Sequence, residues 1–236
     1  ASGLTGAALL AACGGSDADA APPLPAATQQ AVDRIVEQRL AAQNLPGAVV
    51  LISIPGQGEM VKAYGKANLQ TNQPRNAADP FRIASITKTF IGTVILQLVD
   101  DGRLALTDPV SRWYPSFPNG SAITIDHLLR MRSGIADSLD DGFLDEWYAN
   151  PTALVTPQQA IDRSAARAAE FVAPDTVTRY TNINFVLLDE IAARVSGQDI
   201  RTLLRRRIYE PLGMTHTVYP QGTALDGANR GYLFNP

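Results

Sequence analysis

The chain holds one cysteine, Cys13, among its 236 residues. A single thiol closes no intramolecular disulfide, so a disulfide-stapled scaffold is excluded. Histidine is almost as scarce, with His127 and His216 alone. Neither His-Glu-x-x-His nor paired Cys-x-x-Cys occurs, and there is no phosphate-binding loop, so the motifs call for no metal and no cofactor. Gly-x-Ser-x-Gly is missing, and no histidine stands with an acid as a Ser-His-Asp triad needs, which disfavours an α/β-hydrolase. Both histidines read as structural. Excess positive charge is lacking too: the formal net charge is -3. Phosphate binding needs a basic face, so nucleic acid is not expected as a partner. The one dense basic cluster, Arg205-Arg206-Arg207, reads as a solvated helix face. The apolar stretch at residues 4–12 is too short to span a bilayer.

What is present fits a soluble globular protein with a sizeable core: 45% hydrophobic and 18% charged residues. Residues 14–30 are rich in Gly, Ala, Pro and Asp and read as a flexible tether. Helical spacing follows over 31–42 and is broken by Pro46-Gly47. Residues 48–54 and 59–64, joined by Pro55-Gly56-Gln57-Gly58, read as a β-hairpin. A polar loop at 66–80 leads to an apolar helical run at 83–99, closed by Asp100, Asp101 and Gly102. Further helices are expected at 125–131, at 156–169 behind a Thr156-Pro157-Gln158-Gln159 capping box, at 182–195 with Gly197 as the stop, and at 200–209. Two strands make no stable sheet alone, so either more strands lie in unrecognised segments or the chain continues past Pro236.

Ser85-Ile86-Thr87-Lys88 stands at the head of the 83–99 run. Residues three apart on a helix share a face, so hydroxyl and amine can reach each other. Serine is a weak nucleophile until a neighbouring base takes its proton, and a desolvated lysine can do so. The pattern alone is loose: eleven serines and three lysines produce it by chance in roughly one such chain in seven. Tyr-x-Asn occurs twice, at Tyr148-Ala149-Asn150 and Tyr180-Thr181-Asn182. Pro151 discourages helix at the first, whereas the second opens an apolar helix.

Taken in order, Pro46-Gly47-Ala48-Val49-Val50, Phe81 to Phe90 around Ser85, Leu104-Ala105-Leu106-Thr107-Asp108-Pro109-Val110, Leu128 to Gly134, Tyr180-Thr181-Asn182 and Glu210-Pro211-Leu212-Gly213-Met214 resemble the penicillin-recognising serine hydrolases. The branch is that of class C β-lactamases, DD-carboxypeptidases and family VIII esterases. The resemblance implies an α+β, β-lactamase/transpeptidase-like fold: an antiparallel sheet flanked by helices plus a helical subdomain. It makes Ser85 the acylating nucleophile, Lys88 and Tyr180 the groups that move its proton, and Asn182 a substrate-binding residue. It implies a small-molecule or peptide substrate, with a generalist esterase or peptidase-like hydrolase ranked ahead of a DD-carboxypeptidase and a β-lactamase. A catalytically inactive binding or scaffold protein on the same fold is the alternative.

Two departures stand out. Pro174-Asp175 replaces the family's usual Pro-Gly before the tyrosine. The Lys-Thr-Gly or His-x-Gly triad of a later strand does not appear. In the family it lies past the Pro-Leu-Gly-Met segment, so residues 31–236 read as the N-terminal portion of such a domain, with the C-terminal strands missing. At the other end, Leu10-Ala11-Ala12-Cys13 resembles the lipobox of bacterial lipoproteins. That makes residues 1–13 a partial signal and Cys13 a lipidation site, and implies an exported, periplasm-facing protein anchored to the membrane by its N-terminus. The plainer alternative is an Ala-rich terminus with an inert thiol.

Overall fold

The computed structural model describes residues 21–220 and Gly222. Cys13, the signal-like segment, the first part of the tether and the C-terminal residues past Gly222 lie outside them. The chain divides into two compact units, the second being Ile83–Thr223.

In the first unit α1 spans Ala26–Ala42. It begins inside the expected tether, because Leu24 is buried and pins the start. The Leu24 N–H donates to Glu59 O at 3.1 Å, and Gln29 Nε2 donates to Leu24 O at 2.7 Å. Composition favoured a tether there, but Ala and Gln are good helix formers once an anchor is supplied. Strands β1 (Gly47–Ile54) and β2 (Gly58–Asn68) form the expected antiparallel hairpin, in register from Gly47 opposite Gly65 to Ile54 opposite Gly58. β2 runs four residues past Tyr64 because a two-residue strand, β3 (Gln73–Pro74), pairs with it across a bulge at Lys66 and Asn68. The sheet order is β1-β2-β3. Val32, Val36 and Leu40 of α1 pack with Val50, Ile52 and Ile54 of β1 around Leu24, Met60 and Tyr64.

The second unit is helical. A 3-10 turn, Ala84–Ile86, runs into α2 (Thr87–Asp100). Ile91, Val94, Ile95 and Leu98 recur at one-face spacing on α2 and are buried. α3 (Ile125–Leu129) starts from a capping box in which the His127 N–H donates to Thr124 Oγ1 and the Thr124 N–H donates to His127 Nδ1 at 3.2 Å. His127 is therefore a structural group, as expected. His216 lies in an exposed turn.

α4 (Asp141–Ala149) was not foreseen. The Asp140 carboxylate caps it, accepting from the Phe143 N–H at 2.8 Å, and it ends just before Asn150-Pro151. It carries Tyr148, at a site where sequence argued against helix. α5 (Pro157–Ala166) has the predicted Thr156–Gln159 box and passes into a 3-10 turn at Ala168–Glu170. α6 (Ile183–Ser196) buries Ile183, Leu187, Leu188 and Ile191 and stops at Gly197, whose φ is 70°. α7 (Ile200–Leu204) continues as a π-turn, Arg205–Tyr209, where one helix was expected. The Arg207 guanidinium meets Asp101 at 2.7 Å and Arg205 pairs with Glu210, so the basic cluster is partly neutralised by acids. The core of this unit lies between α2 and α6, where Leu98 and Leu188 are fully buried. Truncating either to Ala would cost about 2–5 kcal/mol.

Candidate active site

The loop after α3 must turn sharply to reach the start of α6, and Gly134 makes the turn. Its φ is 74°, and a Cβ there would sit 2.2 Å from Val172 O. Only glycine fits. Three hydrogen bonds then fix the loop. Ser133 Oγ and Asn184 Oδ1 lie 2.6 Å apart, Ser164 Oγ donates to Ala136 O at 2.7 Å, and Arg167 Nη1 donates to Asp137 O at 2.8 Å. Asp175 also takes a left-handed conformation, with φ 66°. Aspartate tolerates it, and its carboxylate pairs with Arg132 and Arg130. Pro174-Asp175 thus makes a turn whose second residue is left-handed, a conformation that glycine takes readily. Those two guanidiniums hold the Asp175 carboxyl below the usual carboxylate range, the Arg132 hydrogen bond being the larger cause.

Ser85 lies in the 3-10 turn that feeds α2, exposed to solvent. The preceding residue, Ala84, has φ 45°, a left-handed conformation that costs an L-residue about 1–2 kcal/mol. Strain of this kind gathers at functional sites. It sets the direction in which the Ser85 side chain leaves the backbone.

Lys88 Nζ donates to Ser85 Oγ at 3.0 Å and to Asn182 Oδ1 at 2.8 Å. Tyr180 OH lies 2.6 Å from Ser85 Oγ and donates to it. The Lys88 ammonium also stands 4.8 Å from the centre of the Tyr180 ring. Lys88 and Tyr180 thus meet at the Ser85 hydroxyl, and Asn182 joins them through Lys88. The decoy pair does not: Tyr148 packs edge-on to Trp147, and Asn150 Oδ1 accepts from Thr152.

Hydrogen bonding from Lys88, then from Ser85, moves the Tyr180 phenol below its usual range, because both stabilise the phenolate. A second tyrosine provides the contrast. Tyr64 in the first unit is buried and donates to the Asp33 carboxylate at 2.7 Å, and it is pushed up to about 12. Burial, then the Asp33 carboxylate, hold Tyr64 in its neutral form although Lys62 Nζ lies 5.3 Å from its ring centre, whereas Tyr180 is exposed and its hydroxyl is bonded to Ser85.

Asp137 was missed from the sequence. Its Oδ2 accepts from the Asn182 backbone N–H at 3.1 Å and from Asn182 Nδ2 at 2.9 Å. Asn182 is the N-cap residue of α6, yet its side chain caps nothing. The Asp137 carboxylate stands there instead, where the helix dipole favours an anion. No periodicity marks such a loop acid; its only cue was its position three residues past Ser133-Gly134.

A cleft of about 480 Å³ opens beside Ser85. Ser85, Thr87, Lys88 and Asn182 give it polar lining. Ile91, Leu139, Phe143, Val155 and Val186 give it apolar walls. Among the described residues no group of three or more His, Cys, Asp or Glu could hold a metal ion, and no helix is long and apolar enough to cross a membrane.

Comparison with known proteins gives the family and the fold. Residues 32–232 match the family described as Beta-lactamase. Protein flp of Staphylococcus aureus (strain COL) is 32% identical over 199 residues, which cover 82% of this chain and 39% of that protein. The crystal structure of D-amino acid amidase from Ochrobactrum anthropi SV3 complexed with L-phenylalanine superposes with a TM-score of 0.68 at 28% identity, over 81% of this chain and 53% of that one. The octameric penicillin-binding protein homologue from Pyrococcus abyssi gives a TM-score of 0.70 at 29% identity, over 79% of this chain and 43% of that one. The chain therefore spans well under two thirds of the length of these relatives.

Proposed function

The chain belongs to the β-lactamase family of serine hydrolases, and from that premise we propose that it forms an acyl-enzyme on Ser85 and hydrolyses an amide or an ester. Its fold is β-lactamase/transpeptidase-like, an antiparallel sheet with helices. The observation that carries the proposal is the convergence of Lys88 and Tyr180 on Ser85 Oγ.

In this reading the Tyr180 phenolate takes the Ser85 proton as Oγ bonds to the substrate carbonyl carbon. Lys88 supports the phenolate and holds both Ser85 Oγ and Asn182 Oδ1 by hydrogen bonds. Negative charge builds on the carbonyl oxygen at the head of α2, where first-turn amides and the dipole favour it. The tetrahedral adduct then collapses. The C–N or C–O bond breaks, and Tyr180 returns the proton to the leaving group. Water repeats the sequence with Tyr180 again as base, releasing the acid and free Ser85. Asn182 holds the substrate's amide or carbonyl near Lys88.

A penicillin-binding protein homologue and a D-amino acid amidase among the structural relatives favour an amide-bearing substrate. A generalist esterase remains the broader reading, and the apolar walls of the cleft suit an apolar acyl group. The lipobox-like sequence at Cys13 supports export and a periplasm-facing protein anchored to a membrane by its N-terminus. A fluorophosphonate probe tests the enzymatic reading. Ser85 Oγ displaces fluoride at phosphorus, so the full-length protein gains the phosphonyl mass and Ser85→Ala does not. Labelling that survives the substitution rules the reading out.

A further inference from the structure

Beyond Ser85 the cleft follows α6. Asn182, Phe185, Val186 and Asp189 all line it, at the spacing that places residues on one helix face. Asn182 and Asp189 are seven residues apart, about 10 Å along the helix axis. The other walls are mostly apolar: Ile91 from α2, Phe143 from α4, Ala160 from α5, with Leu139 and Val155, beside the hydroxyl-bearing Ser138 and Thr156. The far end holds Asp189 and Tyr219. The cleft thus has a reactive polar end, an apolar middle and one carboxyl at its end.

Asp189 is partly buried. Its hydrogen bond comes from the Tyr219 hydroxyl, and among the described residues the charged groups that act on it are Glu190 and Asp199, both of its own sign. Arg201 is not among those groups; it acts on Tyr219, whose carbonyl oxygen it holds at 3.2 Å. A carboxylate in such a place is costly without a cation. Tying Tyr219 to α6 would need only a neutral acceptor such as an amide, so an ionisable group there asks for another explanation. The substrate can supply the missing cation.

We propose that Asp189 is a specificity-determining residue, selecting substrates whose acyl group carries an ammonium at the end of an apolar arm that reaches from Ser85 along α6. The proposal rests on the hydrolase reading and names its substrate class. The arm would lie over Phe185 and Val186, and the ammonium would pair with the Asp189 carboxylate while Tyr219 keeps its hydrogen bond. Burial, with the Glu190 charge, pushes the free carboxyl up to about 7. An aliphatic ammonium, like that of lysine, keeps its proton to about pH 10. The preference must therefore strengthen as the pH rises past neutrality. The groups facing Asp189 are Glu190 on α6, Asp199 before α7, and Tyr219; Lys88 lies at the opposite end of the cleft.

The test compares two p-nitrophenyl esters of equal length, one of hexanoic acid with a terminal amine, the other of heptanoic acid. With the full-length protein at about pH 8, the amino ester is expected to have a kcat/KM about tenfold higher, mostly through KM. At about pH 6, with the carboxyl largely protonated, the ratio should fall severalfold. Asp189→Asn should erase the preference at both pH values. A wild-type ratio that does not change with pH, or one that survives Asp189→Asn, overturns the proposal. If neither ester is turned over above the Ser85→Ala background, the hydrolase reading has failed, and binding decides the Asp189 claim alone. Wild type should then bind hexylamine more tightly than hexanol at about pH 8, and Asp189→Asn should not distinguish them. Equal binding by wild type overturns it.

Discussion

Asp137 accepts two hydrogen bonds from Asn182, one from its backbone N–H at 3.1 Å and one from its side-chain Nδ2 at 2.9 Å. With Nδ2 turned toward a carboxylate, Oδ1 must face the other way, and there it accepts from Lys88 at 2.8 Å. The orientation of one amide is thereby fixed from both sides. Lys88 in turn is held at Ser85. A loop acid thus sets the position of the ammonium that serves the nucleophile, without touching the nucleophile itself.

Asp137 is accordingly a positioning residue. Replacing it with Ala should lower kcat about tenfold or more, since small displacements at a reacting centre are costly. Asp137→Asn keeps one acceptor and should retain more activity than Asp137→Ala. KM should change less than kcat in both. Steady-state kinetics on the pair, with thermal melts to confirm folding, checks this; equal activity of both variants with wild type would contradict it.

Tyr180 gives a pH signature. The phenol sits below its usual range because Lys88 and Ser85 hydrogen-bond to it. The phenolate is the active form, so kcat/KM should rise with pH and level off below about 10, the ordinary tyrosine value. Tyr180→Phe should lose about a hundredfold or more in rate, the contribution of a general base, and lose that rising limb with it. A pH–rate profile on both proteins measures it.

Gly134 allows a stability prediction. A methyl group there meets Val172 O at 2.2 Å, and φ is already 74°. Gly134→Ala should destabilise the protein by about 1–3 kcal/mol and also reduce activity, because the loop it starts carries Asp137. Chemical denaturation of the two proteins gives the difference.

Asp189 should make stability fall as pH rises. Its carboxyl lies near 7 in the folded chain, against an ordinary value of 3.8. A raised acid binds its proton more tightly when folded, so its contribution is fully present below about pH 4, is lost as pH rises toward 7, and is a penalty above that. Asp189→Asn should therefore leave stability at about pH 4 almost unchanged and increase it at about pH 8, by on the order of a few kcal/mol. Melting curves at the two pH values decide the sign.

The parts of this molecule that were legible in sequence are those with local rules. Thr156-Pro157-Gln158-Gln159 announced α5, and Gly197 announced the end of α6; Ser85 and Lys88 were picked out by their spacing, Tyr180 and Asn182 by resemblance to a family motif, and the fold brings the four together. The parts that were hidden depend on contacts distant in the chain. α1 starts early because buried Leu24 anchors it to Glu59. β3 exists only because β2 offers an edge to it. α4 lacks long apolar periodicity and rests on its Asp140 cap. Asp137 and Asp189 look like ordinary surface acids until the fold brings one beside Asn182 and the other to the end of a cleft.

The central claim is that Ser85 becomes acylated. Intact-mass spectrometry of the full-length protein, quenched during turnover of a p-nitrophenyl ester, tests it most directly. The account predicts a burst of one equivalent of nitrophenol and an added acyl mass on the peptide holding Ser85. Tyr180→Phe should form that adduct slowly, and Ser85→Ala should form none. Steady turnover with no burst, no covalent adduct and full activity in Ser85→Ala would contradict it.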